Sequence, residues 1–294
     1  MKIGFRQMLA ERQRKIGSYV CVGLDPKIDK MPACFNKPHH TAGENAYYWM
    51  ADVVDKTSAF SCAYKPNSAF FEALPLGAKW LENLISYIHF EYPGIPVLLD
   101  GKRGDIGATQ QFYRQAHLSE QGQNADGMTF SPYMGKDTMS ALVNSNDLGK
   151  ALVGICYTTN PSARKMQNVV LEDGRPYWDY VAQCTMEWAQ ELGVIGDAGL
   201  VMAAAYEKVK GSGRIYSKHL EQARGIVRDR MWFLIPGIGT QQGFVKETVS
   251  SAWCGPGSMA INSSSGITEA EDPAAAAREL RDKINEAIPA DCID

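Results

Sequence analysis

The chain places two acids and a lysine close together, directly after the apolar run IPVLL. They are Asp100, Lys102 and Asp105 in the segment DGKRGD. Residues two apart in a strand point to the same side, so Asp100 and Lys102 share a face at the end of a strand. In such an array each carboxylate favours the protonated lysine, and the lysine favours both ionised carboxylates. The pattern also fits a solvated turn with an incidental ion pair and a helix cap at Asp105.

A second lysine, Lys65, ends another apolar run in the segment AYKPN. Taken alone, it fits a strand-end lysine whose ammonium extends into water as well as it fits a functional group. Beside the DGKRGD segment it completes an alternating set of Lys65, Asp100, Lys102 and Asp105. A set of fixed charges of this kind favours electrostatic and acid-base catalysis.

The elements that must position these residues are short apolar runs that alternate with longer segments of helical period. Strands are predicted over residues 19–24, 61–65, 96–100, 127–130, 151–156, 200–204, 232–235 and 258–261. Helices are predicted between them, for example over residues 73–90 and 177–192. This repeated alternation predicts a (β/α)8 TIM barrel that occupies residues 1–294 as one domain, with an open doubly wound sheet as the alternative.

Several predicted strands end in polar or glycine-rich segments, namely GLDP, KPN, DGKRGD, PGIGTQQG and NSSSG. In a barrel the carboxyl ends of the strands converge on one face, where active sites are built. Two less regular stretches, residues 30–44 and 160–175, are predicted to leave the barrel, the second as a lid.

Composition narrows the choice of partners. The 294 residues carry 30 Lys and Arg against 33 Asp and Glu, and this net charge of −3 gives no attraction to nucleic acid or to an anionic membrane. No apolar run is long enough to cross a bilayer. Seven scattered cysteines without a C-x-x-C pair favour a reducing compartment, and we expect the cytoplasm. No histidine or cysteine set has the spacing of a metal site, so no metal is expected.

With these motifs the sequence resembles the orotidine 5′-phosphate decarboxylase family, which forms uridine monophosphate (UMP) from orotidine monophosphate (OMP) in pyrimidine biosynthesis. The family signature D-x-K-x-x-D-I is present as Asp100, Lys102, Asp105 and Ile106. Other similar segments are GLDP, AYKPN, YTTNPSA, PGIGTQQG and INSSSGI, and the TTNP segment is typical of the longer branch of the family. The resemblance implies a (β/α)8 barrel that works as a homodimer with composite active sites, on a nucleotide and without metal or organic cofactor.

The resemblance also implies a role for each candidate residue. Lys102 would stabilise and protonate the carbanion at C6, Asp100 would lie beside the departing carboxylate, and Lys65 would tie Asp100 to the ribose. Asp105 would reach into the partner subunit's site. The implied substrate-binding residues are Asp25 and Asn67 at the ribose, Ile106 at the pyrimidine, Thr109 across the interface, Thr158 and Thr159 near the base and lid, and Gln241 at the phosphate. For the two threonines plain packing is the alternative, and for Gln241 a plain turn.

The sequence departs from the family at position 265. Where the family carries an arginine for the substrate phosphate, in a pattern like N-x-x-R-x-I, this chain has Ser265 in INSSSGI. A hydroxyl lacks the fixed charge and planar fork of a guanidinium. Either another cation replaces it, with Arg164 a candidate, or phosphate binding is weakened. Two other functions stay open at this point: a sugar-phosphate decarboxylase or synthase of the same barrel type, and a nucleotide-binding protein with little catalysis.

Overall fold

The computed structural model describes residues 3–145, 148–209, 211–238 and 244–289. Its strands, in chain order, are β1 Val20–Leu24, β2 Ser61–Pro66, β3 Leu98–Arg103, β4 Gly127–Phe130, β5 Ala151–Tyr157, β6 Gly199–Met202, β7 Tyr206–Glu207, β8 Ile215–Tyr216, β9 Trp232–Pro236 and β10 Met259–Ser263. Eight of them form one sheet in the order β2-β1-β10-β9-β6-β5-β4-β3, and β7 and β8 form a separate antiparallel hairpin. Each predicted strand overlaps one strand of the large sheet.

The large sheet closes on itself. All its pairings are parallel. Its two end strands, β2 and β3, are joined by parallel bridges between Tyr64 and Val97 and between Asn67 and Asp100. The Tyr64 amide donates to the Pro96 carbonyl over 3.0 Å. The fold is therefore the predicted (β/α)8 barrel and not the open doubly wound sheet.

Helices cover the outside of the barrel. Their bounds are α1 Phe5–Ile16, α2 Ala42–Thr57, α3 Ser68–Glu72, α4 Gly77–Glu91, α5 Gly107–Leu118, α6 Lys136–Ser140, α7 Ala163–Gln167, α8 Tyr177–Glu191, α9 Lys218–Val227, α10 Val245–Ala252, α11 Ser265–Thr268 and α12 Pro273–Ala287. None of the described helices is long and apolar enough to cross a membrane.

Two buried clusters make the core. The outer one joins the sheet to the helix faces. The inner one fills the barrel with inward-facing strand residues such as Leu98, Val153 and Leu234. Phe5 of α1 stacks on Trp232 at the start of β9, with ring centroids 5.1 Å apart. Because Trp232 begins its strand, α1 seals the amino end of the barrel and leaves the carboxyl end free for a site.

The predicted helix over 73–90 is wrong at its start. The structure ends α3 at Glu72 and begins α4 at Gly77, with Leu76 between them at φ 57°. A Cβ on Gly77 would lie 1.6 Å from the Phe71 carbonyl oxygen, so the chain turns there too tightly for a continuous helix. The hairpin of β7 and β8 was not predicted at all. The predicted lid over 160–175 holds the short helix α7.

Candidate active site

Asp100 is the hub of a charged cluster at the carboxyl end of the barrel. Its Oδ2 accepts a hydrogen bond from Lys65 Nζ over 2.9 Å, and its Oδ1 accepts one from Lys102 Nζ over 2.7 Å. The Thr129 hydroxyl donates to the same Oδ1 over 2.8 Å. These groups come from three neighbouring strands, β2, β3 and β4, whose carboxyl ends meet as the sequence predicts.

Mutual electrostatics fix the charge states in this cluster. Burial alone would raise the pKa of Asp100, but the ammonium groups of Lys65 and Lys102 outweigh it and hold the pKa well below its ordinary value. Burial alone would lower the pKa of Lys65, but Asp100 and Asp25 outweigh it and raise that pKa. Asp100 is thus an anion and Lys65 a cation at neutral pH.

Lys102 is held in an uncommon backbone conformation. Its φ is 46°, in the left-handed region that side chains rarely occupy. The register between β3 and β4 shifts between Leu99 and Arg103, and the Lys102 amide donates instead to Thr129 Oγ1 over 3.0 Å. Backbone strain of this kind persists where the surroundings impose it, and it is common at functional sites. In this backbone conformation the Lys102 ammonium donates to Asp100, while the Lys102 side chain stays 55% exposed.

The cluster forms one wall of a cavity of about 570 Å³. Apolar side chains line another part of it, among them Ile155, Val201 and Leu234. The polar lining residues are Asp25, Lys65, Asp100, Lys102, Thr158, Thr159, Asn160, Gln167, Asn262, Ser264 and Ser265. A pocket of this size, with many polar side chains around an apolar floor, suits a nucleotide-sized ligand.

Two buried oxygens in the cavity have no hydrogen-bond partner among the described residues. They are Oδ1 of Asp25, which follows β1, and Oδ1 of Asn262 in β10. A buried acceptor without a donor costs free energy, so both oxygens favour a ligand that brings hydroxyl or N–H groups.

Residues of the 160–175 segment, which was predicted as a lid, form a hydrogen-bonded network at the cavity. Gln167, the last residue of α7, bonds both the amide and the hydroxyl of Thr158, and the Thr158 hydroxyl bonds Asn160. Thr159 lines the cavity beside Gly237, where a side chain would not fit because its Cβ would lie 2.8 Å from Thr159 Cγ2. This segment is thus tied to the end of β5.

Several predicted site residues lie outside the cavity of their own chain. Asn67 caps α3, where its Oδ1 accepts from the Ala69 amide over 3.2 Å. Asp105 does not contact Lys102, and its Oδ1 accepts from the Ile106 amide over 2.8 Å. Ile106 and Thr109 are exposed, and Ile106 rather than Asp105 is the N-cap of α5. Gln241 lies outside the described residues.

Ser265 lies at the cavity, at the start of α11. The cation suggested as a substitute for the missing arginine does not line the cavity. Arg164 packs its guanidinium over the Tyr206 ring, 4.1 Å from the centroid. Within the described lining the cations are Lys65 and Lys102, which both belong to the Asp100 cluster.

Sequence reasoning missed Thr129, Asn160, Gln167, Asn262 and Ser264. Thr129 reads as an ordinary β-branched strand residue, since nothing in its local sequence marks it as a partner of Asp100. Asn262 and Ser264 stand in the INSSSGI segment beside Ser265, and their period of two with Ala260 could have placed them on the inner face of β10.

The matches to known proteins agree with this geometry. Residues 18–280 match the orotidine 5′-phosphate decarboxylase / HUMPS family. Orotidine 5′-phosphate decarboxylase of Cupriavidus necator is 37% identical over 288 residues, which cover 97% of each chain. The chain belongs to this family. The enzyme of the same name from Roseiflexus castenholzii is 36% identical over 284 residues, covering 93% of this chain and 94% of its own.

The family's solved structures share the barrel. The OMP decarboxylase of Leishmania donovani superposes with a TM-score of 0.78 at 31% identity, covering 97% of this chain and 98% of its own. In the chain described here, no group of three or more His, Cys, Asp or Glu side chains among the described residues is arranged to hold a metal ion.

Proposed function

We propose that this protein catalyses the decarboxylation of OMP to UMP and CO2 in pyrimidine biosynthesis. The observation that carries the proposal is the pair of hydrogen bonds from Lys65 and Lys102 to Asp100 at the edge of the cavity. The relatives that match almost the full chain bear the name of this enzyme. The family description also includes the HUMPS branch, but those relatives favour the decarboxylase.

The reaction demands a fixed cation. Loss of CO2 from C6 leaves an electron pair in the plane of the pyrimidine ring, where the π-system cannot delocalise it. The stabilisation must therefore come from a positive charge that is already in place, together with delivery of a proton. We assign both tasks to Lys102, whose ammonium lies at the rim of the cavity and is held by Asp100.

Asp100 contributes in two ways. It positions Lys102 without reorganisation during the reaction, and its negative charge beside the substrate carboxylate repels a group that leaves as neutral CO2. At about 4 Å and an effective dielectric constant of about 20, this repulsion is about 4 kcal/mol, or about three powers of ten in rate. The remaining acceleration falls to Lys102 and to the contacts with the rest of the nucleotide.

The ribose fits the unpartnered oxygens. Its two hydroxyls would donate to Asp25 Oδ1 and Asn262 Oδ1, which are buried against the cavity without donors among the described residues. Lys65 would link the ribose to Asp100, and Asn67 would lie nearby at the end of β2. The apolar floor and the threonines Thr158 and Thr159 would hold the base.

The phosphate end is the weakest part of the site. By this reasoning the phosphate binds near Ser265, because phosphates in barrels bind at the last two strand ends. Residues 239–243 have the sequence GTQQG and carry no cation. We therefore propose that phosphate binding is weaker here than in relatives with an arginine at position 265.

We also propose a homodimer with composite sites. Asp105, Ile106 and Thr109 do not line the cavity of their own chain, which fits residues that serve a second subunit. Ile106 itself is 50% exposed, and three large apolar side chains nearby in the chain, Phe112, Tyr133 and Met134, are 70%, 71% and 51% exposed. Exposed apolar side chains in such number favour a protein interface.

The remaining expectations belong to the same proposal. The whole chain forms one domain, as supported by the Asn285 side chain in α12, which donates to the Gly17 carbonyl after α1 over 2.8 Å.

The protein works in the cytoplasm without nucleic acid or membrane partners. Six described cysteines are free thiols, which agrees with a reducing compartment.

The test is to follow the loss of OMP absorbance with the purified protein in the presence of EDTA. We expect decarboxylation at the same rate with and without the chelator, because the cluster already supplies the cation at C6. Activity lost with EDTA and restored by magnesium would contradict the metal-free chemistry. Turnover of a pentulose phosphate but not of OMP would assign the protein to the sugar-phosphate branch, and binding of UMP without any turnover would leave a nucleotide-binding protein.

A further inference from the structure

Thr129 lies opposite the irregular part of β3. Residues 100–102 of β3 stand against this single residue of β4, while on its other side Thr129 pairs in register with Val153 of β5. The Thr129 side chain is buried. Extra residues in one strand form a bulge, and bulges beside active sites redirect side chains. This bulge carries both Asp100 and Lys102.

The Thr129 hydroxyl takes the place of the strand pairing that the bulge interrupts. It accepts a hydrogen bond from the Lys102 amide over 3.0 Å and donates one to Asp100 Oδ1 over 2.8 Å. We call these two bonds the Thr129 bridge. The Lys102 ammonium donates to the same Asp100 Oδ1 over 2.7 Å. The bridge therefore joins the backbone of Lys102 to the oxygen that holds its ammonium.

The directions of both bonds follow from the groups themselves. A backbone N–H only donates, and an ionised carboxylate only accepts, so the hydroxyl must use a lone pair on one side and its proton on the other. A hydroxyl on a short side chain meets both needs at once. Valine has nearly the same shape as threonine but can make neither bond, whereas serine can make both.

The exposure of Lys102 makes the bridge important. Its side chain is 55% exposed, so packing fixes it only in part. The position of the ammonium is then set mainly by two things, the left-handed backbone at φ 46° and the bond to Asp100. The Thr129 hydroxyl contacts the backbone amide in one case and the accepting oxygen in the other.

We propose that Thr129 is a positioning residue that holds the Lys102 ammonium in place for the reaction through the Thr129 bridge. The inference rests on the proposed function, in which Lys102 acts at C6. Without the hydroxyl the Lys102 amide loses its partner, and the strained backbone loses a contact that maintains it. The ammonium then moves relative to C6 although no group that touches the substrate has been removed.

The experiment compares Thr129→Val with Thr129→Ser. Thr129→Val should lower kcat for OMP by about tenfold to a hundredfold, since small misplacements of a catalytic group have costs of this order. Its KM for OMP and its dissociation constant for UMP should stay within about threefold of wild type, because the bridge does not contact the ligand. Thr129→Ser, which can rebuild both bonds, should keep kcat within about fivefold of wild type.

Thr185→Val is the matched control. Thr185 is also buried, and its hydroxyl donates only to the Val181 carbonyl within α8. The same chemical change there should leave kcat within about twofold of wild type. Thermal unfolding compares the stability of the variants. If Thr129→Val does not fold, Thr129→Ala removes the same hydroxyl with less bulk in the strand, and the same changes are expected.

Amide hydrogen exchange at Lys102, resolved by NMR, tests the bridge without turnover. The Lys102 amide should be protected in the wild type and in Thr129→Ser, and it should exchange at least about tenfold faster in Thr129→Val. Unchanged exchange would show that the bridge does not hold this amide.

Other outcomes would also overturn the inference. One is an unchanged kcat in Thr129→Val, and another is an equal loss of kcat in Thr129→Ser and Thr129→Val. Loss of UMP binding in parallel with kcat would show that Thr129 supports the whole cavity rather than Lys102. A wild-type protein that turns over no OMP would contradict the decarboxylase proposal instead, and hydrogen exchange would still decide whether the bridge exists.

Discussion

Lys102 Nζ lies 2.7 Å from Asp100 Oδ1, yet the two side chains differ sharply in exposure, 55% against 10%. The carboxylate is thus fixed in the wall by Lys65 and Thr129, while the exposed ammonium lies at the rim of the cavity. A charge pair built in this way has one anchored partner and one partner free to meet a ligand. The anchored charge holds the other in position before any substrate arrives.

Lys102→Ala should abolish decarboxylation and leave nucleotide binding largely intact. The ammonium acts mainly on a charge that develops in the transition state, so its removal affects turnover more than affinity. Turnover of OMP and calorimetric binding of UMP measure the two effects separately. Lys56→Ala is the control, because it removes an exposed lysine that pairs with Asp52 on the surface of α2. Near-full turnover in Lys102→Ala would reject the assignment.

The charged cluster was predictable because it depends on rules that act along the sequence. Asp100 and Lys102 lie at the carboxyl end of one strand and Lys65 at that of its neighbour, and parallel strands bring their carboxyl ends together. The backbone at the end of β3 is less regular than predicted. Lys102 has a positive φ, and the register between β3 and β4 shifts beside it.

The contact of Thr158 with Gln167 and the contact of Thr129 with Asp100 were not predictable in the same way. Gln167 meets Thr158 only because α7 folds back over the end of β5, and a five-residue helix inside an irregular segment leaves no periodic signal. Thr129 meets Asp100 through a gap in the pairing of β3 and β4. Such contacts depend on how loops and side chains pack, which the sequence pattern of one element does not encode.

Mixing inactive Lys102→Ala and Asp105→Ala chains should restore activity if Asp105 acts across a dimer interface. In a hybrid dimer one active site then contains both substitutions, and the other active site contains neither. Random exchange of equal amounts gives about half hybrids with one intact site each, so about a quarter of wild-type activity is expected. Subunit exchange is verified separately with tagged chains. Demonstrated exchange without recovered activity would show that Asp105 does not serve the partner's site.

His219 should make the protein less stable as the pH falls from about 6.5 to about 4. Burial lowers the pKa of His219 to about 4, the bond to the Ala203 carbonyl opposes this, and Arg164 adds to it. The unfolded state therefore takes up the proton first, and stability is lost across this range by up to about 3 kcal/mol, with no loss above it.

The measurement is urea unfolding of the wild type and of His219→Phe between pH 7 and pH 4. The free energy of unfolding of the wild type minus that of His219→Phe should become smaller as the pH is lowered from 7 to 4. Carboxylates that titrate in the same pH range contribute equally to both proteins and cancel in this difference. His39→Phe, which changes an exposed histidine, is the control for the loss of an imidazole at the surface. A pH-independent difference for His219→Phe would contradict the buried neutral imidazole.

Ser265→Arg should improve the enzyme, and the gain should depend on the substrate phosphate. Ser265 lies at the cavity at the start of α11, so a guanidinium there can form a bidentate, charge-assisted contact with a dianion. Each such bond contributes about 1.5 to 3 kcal/mol, or about one to two powers of ten in kcat/KM.

The acid that directly follows α11 should not form an ion pair with the introduced arginine. Glu269, one turn further on, already pairs with Lys27, whose Nζ lies 2.8 Å from Glu269 Oε1. The gain is measured as kcat/KM for OMP and for orotidine, which lacks the phosphate, with Ser265→Ala as the control. A large gain on OMP and a small one on orotidine would identify position 265 as the site of a lost phosphate contact. An equal gain on both substrates, or none, would mean that position 265 does not face the phosphate or that another cation already binds it.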